Sequence, residues 1–411
     1  MDRAKAGMSE AFDLVILGGG CAGLSLSMAL TAEGRAEGAA ESAAEGRRCP
    51  RTLIVESRTE YTNDRTWCCW SNPSALVPYR VRRRWRTMRV AHGGQSVSLG
   101  CGMTPYQMVE AQDFYAAARS LIDQQPDMAL WLGTSVIGEP TYSGGVWNIR
   151  TSSGNVTARS VVDTRPPRLP RRDGATLWQS FYGWEIECGT AIFDPSSIDL
   201  MNFLAPDALD VAFVYVLPVT ATRALVEVTV FGAEPLAPRE LAARLDAAVA
   251  QLVRGASFKT LRREHGILPM GLNETPRSAH SSFVNVGVMA GGARPSTGYA
   301  FQRIQRWAGE CASALVSRGH PVGHQPDALP LRLMDQIFLD VLRADPSRGG
   351  AIFFSLFSRA DTARVIRFLS GNAGVVDSLA VVAAMPVLPF VKAALALTRR
   401  RGRISEVQRA L

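Results

Sequence analysis

The chain has 411 residues, of which 47% are hydrophobic and 20% are charged, which describes an ordered globular protein with a substantial core. Its formal net charge is +8, and much of this charge lies in two arginine clusters at residues 80–86 and 399–403. No recognised nucleic-acid-reading module accompanies these clusters, so a nucleic-acid partner is not expected.

The cysteines and the apolar runs bear on the compartment of the protein. Seven cysteines, an odd number without metal-like spacing, predict reduced thiols in a cytoplasmic protein and no metal site. Residues 1–11 lack the apolar core of a signal peptide, so export is not expected. The most apolar run, residues 378–391, is too short to span a membrane and contains two prolines. It is equally compatible with a buried terminal helix and with a segment lying on a membrane face.

The first predicted elements are a strand, a glycine turn and a helix. An apolar run at residues 14–17 leads into Gly18, Gly20 and Gly23, and residues 24–30 continue as a buried helix. This spacing makes a tight turn, allows the backbone to approach a pyrophosphate, and lets the helix pack on the strand. The phosphates then lie at a helix N-terminus, where N–H groups favour negative charge. The predicted cofactor-binding residues of this turn are Gly18, Gly19, Gly20, Ala22 and Gly23.

A second strand at residues 52–55 ends in Glu56, which is placed to bind a ribose hydroxyl of a dinucleotide. The gap from the third glycine to this acid exceeds the usual spacing of about 20 residues. Residues 33–48, rich in Ala, Gly, Glu and Arg, are interpreted as a surface insertion that explains the difference. The N-terminal position of the motif is typical of FAD enzymes, and NAD remains an alternative.

Further elements follow in chain order. Residues 63–70 lie where flavoproteins cross over the cofactor, and the pattern then predicts strands at 81–99, a helix at 107–123, and strands at 129–149 and 156–163. An arginine- and proline-rich linker at residues 164–172 leads into the next region.

The region from residue 178 to residue 231 has the alternation of an antiparallel sheet. Its last two strands, residues 210–218 and 223–231, form a hairpin, and Glu227 is an isolated carboxyl group within the second of them. Apolar surroundings raise the pKa of such a carboxyl group, which makes it a proton donor near neutral pH. The alternative is an edge strand whose solvent face carries Glu227.

The remaining third begins with a helix at residues 238–253 and a strand at 262–271 that enters a Leu-Pro turn. Residues 282–294 then form a strand-like run that ends in glycines, which indicates a return to the cofactor domain. We predict that Gly291, Gly292 and Gly298 contact the flavin end of the cofactor, although many flavoproteins carry Gly-Asp at this turn. The rest of the chain is predicted to be helical.

The predicted fold class is α/β: a Rossmann-like FAD-binding domain, an inserted antiparallel-sheet substrate domain and a helical C-terminal part. The predicted parts are residues 1–80 and 81–165 of the FAD domain, 166–275 as the substrate region, 276–320 as the return to the FAD domain, and 321–411 as the helical region.

The ordered motifs resemble the flavin-dependent lycopene cyclases of carotenoid biosynthesis. The motifs that carry the resemblance are residues 13–23, 63–67, 183–187, 213–218, 225–229, 266–270, 287–299, 353–357 and 367–371. Arg65 stands where the family often has His, and Val228 stands where it often has an acid, which removes one candidate for a paired carboxylate.

The resemblance implies an enzyme that cyclises the linear ends of lycopene, or of a related acyclic carotenoid, to β-ionone rings without net redox, giving γ- and/or β-carotene. It implies Glu227 as the essential acid, with Glu185 and Glu187 as guesses for the residue that takes up the final proton. The implied cofactor is FAD, reduced by NADPH or NADH. The implied setting is the inner face of the cell membrane, with peripheral contact and with other carotenoid-pathway enzymes as candidate partners. The alternatives are an FAD-dependent monooxygenase, a prenyl-chain reductase and a non-enzymatic isoprenoid carrier.

Overall fold

A computed structural model describes residues 10–37, 49–71, 77–166, 174–272 and 280–410, without the side chains of residues 35–37 and 399–410. Residues 38–48 of the predicted insertion, most of the predicted linker at 164–172 and the side chains of the arginine cluster at 399–403 therefore lie outside the description.

Within the described residues, the strands are β1 (Glu10–Leu17), β2 (Thr52–Val55), β3 (Thr66–Trp70), β4 (Arg83–Trp85), β5 (Thr87–His92), β6 (Gln95–Gly100), β7 (Tyr106–Glu110), β8 (Met128–Trp131), β9 (Thr141–Ser143), β10 (Val146–Thr151), β11 (Gly154–Asp163), β12 (Ala175–Cys188), β13 (Ser197–Phe203), β14 (Asp210–Pro218), β15 (Arg223–Gly232), β16 (Phe258–Leu272) and β17 (Phe283–Asn285). The helices are α1 (Cys21–Glu37), α2 (Ala111–Asp123), α3 (Pro238–Val253), α4 (Phe301–Arg318), α5 (Leu329–Ala344), α6 (Gly349–Arg359), α7 (Thr362–Leu369), α8 (Val375–Ala383) and α9 (Val387–Ala410).

The first sheet is the dinucleotide-type sheet that the glycine motif predicts. Its order is β8-β2-β1-β11-β10-β9, β17 pairs with β11, and β1 is parallel to both β2 and β11. Leu14 and Ile16 of β1 belong to the core formed with α1, α2 and α4, whereas Val15 and Leu17 belong to the core on the opposite face. The chain leaves this sheet after β11 and returns to it at β17, so strands β12–β16 of the second sheet are an insertion.

The second sheet has the order β16-β12-β15-β14-β13-β5-β6. One face of β15, formed by Val226, Val228 and Val230, packs in the core that includes apolar residues of α3. The opposite face, which carries Glu227, lines a cavity. Because β15 lies between β12 and β14, the interpretation of Glu227 as a solvent-facing residue on an edge strand is wrong.

Three boundaries differ from the predictions. The helix predicted over residues 107–123 begins at Ala111, because residues 106–110 pair as β7 with β3 and β4. β16 continues through Pro269 without the predicted turn, which is possible because β16 is an edge strand and needs no N–H there. The hairpin of β5 and β6, placed in the 81–165 part of the FAD domain, pairs through β5 with β13 of the second sheet.

The C-terminal part of the chain is helical as predicted. Two of its helices, α6 and α7, close one side of the cavity. Phe353 and Phe357 of α6 and Leu369 of α7 belong to the core shared with the second sheet and also line the cavity. Among the described helices, none is by itself both long and apolar enough to cross a membrane. α8 and Val387–Thr398 meet those criteria jointly, but they are bent by 115° relative to each other.

Candidate active site

The N-terminal glycine turn forms an open cradle between β1 and α1. Gly18 has a φ of 97°, the left-handed conformation that glycine adopts without strain. A Cβ atom at Gly23 would lie 2.1 Å from the Gly18 carbonyl oxygen, so the helix packs on the turn with no room for a side chain. A Cβ atom at Gly20 would meet no atom within 4 Å. Gly20 therefore faces open space at the helix N-terminus, where the pyrophosphate is predicted.

Glu56 closes the other side of this cradle. Its Oε2 accepts a hydrogen bond from the Gly19 N–H at 2.8 Å, and its Oε1 accepts one from the Arg58 N–H at 2.8 Å. Burial alone would raise the pKa of Glu56, but its hydrogen bonds with Arg58 and Gly19 hold that pKa below its ordinary value. Glu56 is therefore an ionised acceptor at the carboxyl end of β2, where a ribose hydroxyl is predicted to bind.

The second glycine turn is divided between two environments. Gly298 lines the same cavity as Gly18, whereas Gly291 lines a separate depression and Gly292 lines neither. A Cβ atom at Gly292 would lie 2.7 Å from the Gly287 carbonyl oxygen and 2.8 Å from His324 Nε2. The turn therefore has no room for the Asp side chain that many flavoproteins carry here. The predicted cofactor contacts of Gly291 and Gly292 stay predictions.

One continuous cavity of about 920 Å³ joins the glycine cradle to Glu227. Its cradle end is lined by Gly18, Gly20, Ala22, Glu56 and Val288, whereas Gly298 lines the cavity beside Gln179 and Leu268 of the second sheet. Its far end is lined by Glu227 and by apolar and aromatic side chains of β14, β15 and α6. Residues 64–68, predicted to cross over the cofactor, line the part between the two ends.

Four residues form a row across the second sheet under the far end of this cavity. β-sheet pairing places Tyr215 opposite Glu227, Glu227 opposite Gly183, and Gly183 opposite Glu264. Residues paired in this way point to the same face of a sheet. A Cβ atom at Gly183 would lie 3.1 Å from Glu227 Cβ, so glycine leaves free the space between the two carboxyl-bearing strands.

Glu227 is buried and has one neutral hydrogen-bond partner. The residue is 8% exposed, and its Oε1 accepts a hydrogen bond from Thr229 Oγ1 at 2.9 Å. Burial, together with the nearby carboxylate of Glu264, raises the pKa of Glu227 to about 8. Among the described residues, none donates a hydrogen bond to its second oxygen, Oε2. Glu227 therefore holds a proton at neutral pH with one oxygen available to the cavity.

Glu264 has the opposite kind of surroundings. Its Oε2 accepts hydrogen bonds from Thr66 Oγ1 at 2.8 Å and from the guanidinium of Arg262. Arg262 in turn donates to Glu185 Oε2 at 2.5 Å, and Arg223 donates to Glu185 Oε1 at 2.6 Å. Burial raises the pKa of Glu264 above its ordinary value, although Arg262 and Thr66 limit that rise. The cation beside it favours the ionised form of Glu264.

The other predicted acids lie elsewhere. Glu185 is fully buried in the ion pairs described above, and Glu187 is paired with Lys259 at 2.7 Å near the surface. Neither lines the cavity, so neither is placed to receive a proton from a molecule bound there. Tyr182 and Trp184 pack on the α3 face of the sheet and present no ring to the cavity. Four other aromatic residues do line it: Phe213, Tyr215, Phe231 and Tyr299.

The residues of the cradle fit a dinucleotide with two phosphates. An uncrowded glycine at a helix N-terminus, an ionised carboxylate at the end of the adjacent strand and a cavity that continues past both are the features such a ligand needs.

Glu264, Arg262 and Thr66 were not singled out from the sequence. Glu264 and Arg262 occur in an arginine-rich stretch that reads as an ordinary charged strand face. Their importance depends on the pairing of β16 with β12 on one side and on the approach of β3 above the sheet. The one sequence signal for this pair is a lone acid two residues after an arginine within a predicted strand.

Comparisons with known proteins identify the family and the fold. The family described as "Lycopene cyclase protein" matches residues 13–395. No significant match was found among curated proteins. A geranylgeranyl bacteriochlorophyll reductase-like protein from Thermoplasma acidophilum is similar with a TM-score of 0.58 and 13% identity, over 94% of this chain and 99% of that chain.

Two further structures share the fold. The p-nitrophenol 4-monooxygenase of Pseudomonas putida has a TM-score of 0.54 at 14% identity, over 95% of this chain and 98% of its own. A halogenase solved in complex with FAD has a TM-score of 0.53 at 11% identity, over 87% of this chain and 79% of its own. These likenesses confirm the predicted α/β class, a Rossmann-like domain with an inserted antiparallel sheet and a helical C-terminal part.

Proposed function

The chain belongs to the lycopene cyclase family, and from that premise we propose that it converts the linear ψ end groups of lycopene, or of a related acyclic carotenoid, to β-ionone rings, giving γ- and/or β-carotene. The observation that carries this proposal is the carboxyl group of Glu227, which is buried at the end of a cavity lined there by aromatic and apolar side chains. A hydrocarbon offers no polar group to bind, so an apolar and aromatic lining around the acid suits it.

Cyclisation begins when the Glu227 carboxyl group donates its proton to the terminal double bond of the substrate. A new C–H bond forms, and the resulting tertiary cation is attacked by a second double bond, which closes the ring. Loss of one ring proton then gives the neutral β end group, so the proton count balances. Water would quench the cation and lower the pKa of the acid, which is why burial serves both steps.

The aromatic lining of the cavity suits the cationic stage. Phe213, Tyr215 and Phe231 line the cavity around Glu227 on the same sheet face, and Tyr299 lines it from outside the sheet. Ring faces attract cations through their quadrupole, by about 0.5–2 kcal/mol depending on desolvation. These rings thus stabilise positive charge without providing a nucleophile.

The cradle residues are proposed to hold FAD, with the phosphates at Gly20 and the adenosine ribose at Glu56. Support comes from the fold, which this chain shares with a halogenase solved in complex with FAD. When bound and reduced by NADPH or NADH, the flavin supplies an anionic ring that stabilises cationic charge, with no net redox.

The first experiment expresses the chain in cells that accumulate lycopene and separates the pigments by chromatography. We expect γ-carotene, β-carotene or both, together with flavin bound to the purified protein. Persistence of lycopene in cells that contain the flavin-loaded protein would exclude the proposal. Oxygen consumption, or saturation of prenyl double bonds, would then favour the monooxygenase or reductase alternative.

A peripheral contact with the inner face of the cell membrane is proposed for α8 and α9, because the substrate dissolves in lipid. Large exposed apolar side chains concentrate on these two helices, namely Val375, Val376, Leu379, Val382, Val387, Leu388, Val391 and Leu395. An apolar helix face that lacks cover by protein is suited to insertion at the lipid headgroup boundary.

Leu388→Asp tests the membrane contact. Leu388 is 75% exposed on α9, and burying a leucine contributes about 1.5–3 kcal/mol, so vesicle binding is expected to weaken about tenfold or more. Co-sedimentation with vesicles that contain anionic lipid measures this change. Leu209→Asp is the matched control, because Leu209 is 79% exposed but lies between β13 and β14. Equal binding by both variants and the parent would contradict the contact.

A further inference from the structure

We propose that Glu264 is a positioning residue whose negative charge, fixed by Arg262 and Thr66, keeps the proton on Glu227, so that the two carboxyl groups share one proton and Glu227 is the one that donates it. The proposal rests on the proposed function of Glu227. It assigns a role to a residue that the sequence motifs leave unassigned.

The register of the sheet places Glu227 and Glu264 in one row. Glu227 on β15 and Glu264 on β16 are both paired with Gly183 of β12, so their side chains rise from the same row on the same face. Adjacent strands are about 4.8 Å apart, which places the two backbones about 10 Å apart with only a glycine between them. Gly183 leaves no side chain between the two glutamates in this row. Consistent with this, the Glu264 charge acts on Glu227.

The charges that end at Glu264 are already balanced without Glu227. Arg223, Glu185, Arg262 and Glu264 form a continuous buried chain of alternating charges, in which two arginines balance two carboxylates. An ionised Glu227 would add a further negative charge next to the Glu264 end of this chain, with no cation of its own. Its described hydrogen-bond donor is the neutral Thr229 hydroxyl. A buried charge without a partner is costly, so the proton resides on Glu227.

A thiol and three phenols face Glu227 from the other elements. Cys68 of β3, Tyr106 of β7, Tyr215 of β14 and Tyr299 surround this end of the cavity, and burial raises the pKa of each thiol or phenol. All four are therefore neutral at physiological pH. The charges that act on Glu227 come from Glu264 and Arg262.

This arrangement also accounts for the return of the proton. After Glu227 donates, two carboxylates face each other across Gly183, and their repulsion favours recovery of a proton by Glu227. The cationic ring supplies that proton when its C–H bond breaks. One C–H bond forms and one breaks, and Glu227 ends as it began, without a second proton carrier.

The experiment measures the titration of Glu227 in the flavin-loaded protein by infrared spectroscopy. The carbonyl stretch of the protonated carboxyl group is assigned as the band that Glu227→Gln removes, and its midpoint is followed with pH. In Glu264→Gln we expect the midpoint to fall by about one pH unit or more, because a like charge is lost while the charge of Arg262 remains. The alkaline limb of the cyclisation rate should move to lower pH by the same amount.

Three further variants make the test specific. Glu264→Asp retains the charge and should keep the midpoint near that of the parent. Arg262→Gln removes the neighbouring cation and should raise the midpoint, which provides a test even if Glu264→Gln does not fold. Asp199→Asn is the matched control, because Asp199 is also paired with an arginine, Arg89, in the same sheet but does not line the cavity.

An unchanged midpoint in folded Glu264→Gln, or equal shifts in Glu264→Gln and Asp199→Asn, would overturn the proposal. If the midpoint falls as expected in Glu264→Gln but the parent protein converts no lycopene, the proposed function is refuted, and only the sharing of one proton by the two carboxyl groups stands.

Discussion

Glu227→Gln is expected to lower the rate of lycopene cyclisation by about 10³-fold, within the range that general acid catalysis contributes. The substitution preserves the shape of the side chain, and the amide oxygen can still accept the hydrogen bond from Thr229 Oγ1. It removes the acidic proton that the dry cavity holds at neutral pH. The loss should therefore appear in kcat, measured with lycopene in vesicles. The flavin content and the melting temperature should not fall below those of the parent.

Asp199→Asn serves as the control here too, because it removes a carboxylate from the same sheet without altering the cavity. Glu227→Asp separates position from acidity: it keeps an acid but withdraws it from the substrate, so an intermediate rate is expected. A Glu227→Gln variant that cyclises lycopene at the parental rate would show that another group donates the proton. It would also remove the basis for a shared proton with Glu264.

The cofactor end of the cavity was largely predictable from sequence because its determinants are local. Gly18, Gly20 and Gly23 lie within one turn, and the strand, turn and helix around them are set by residues close in sequence. The position of Glu56 follows once β2 is recognised as parallel to β1. Local backbone requirements of this kind leave a direct trace in the order of residues.

The Glu227 end of the cavity was predictable only in part because it depends on pairing between distant segments. Glu227 was recognisable as an isolated acid in an apolar strand, but its partner Glu264 lies 37 positions further along the chain, in β16. The helix α3 separates the two strands in sequence, and β12 separates them in the sheet. A shift of one residue in the register would have turned Glu264 to the opposite face, so the pair could not be assigned from the pattern alone.

Gly23→Ala is expected to prevent formation of a stable flavoprotein. The added Cβ atom would lie 2.1 Å from the Gly18 carbonyl oxygen and 3.1 Å from Ile16 Cγ2, where neither the backbone nor the buried strand can move freely. Forced separation of α1 from β1 should cost about 3 kcal/mol and lower the melting temperature by about 3–4 °C. Calorimetry and the flavin absorbance of the purified protein measure the two effects.

Gly20→Ala is the matched variant, and it separates folding from cofactor binding. A Cβ atom at this position meets no protein atom within 4 Å, so the free energy of unfolding without cofactor should change by less than about 0.5 kcal/mol. The same methyl group would occupy the space proposed for the pyrophosphate, so FAD affinity should fall about tenfold or more. Unchanged FAD affinity in Gly20→Ala would place the phosphates elsewhere. Normal stability in Gly23→Ala would mean that α1 and β1 are not held in the close packing on which the cradle depends.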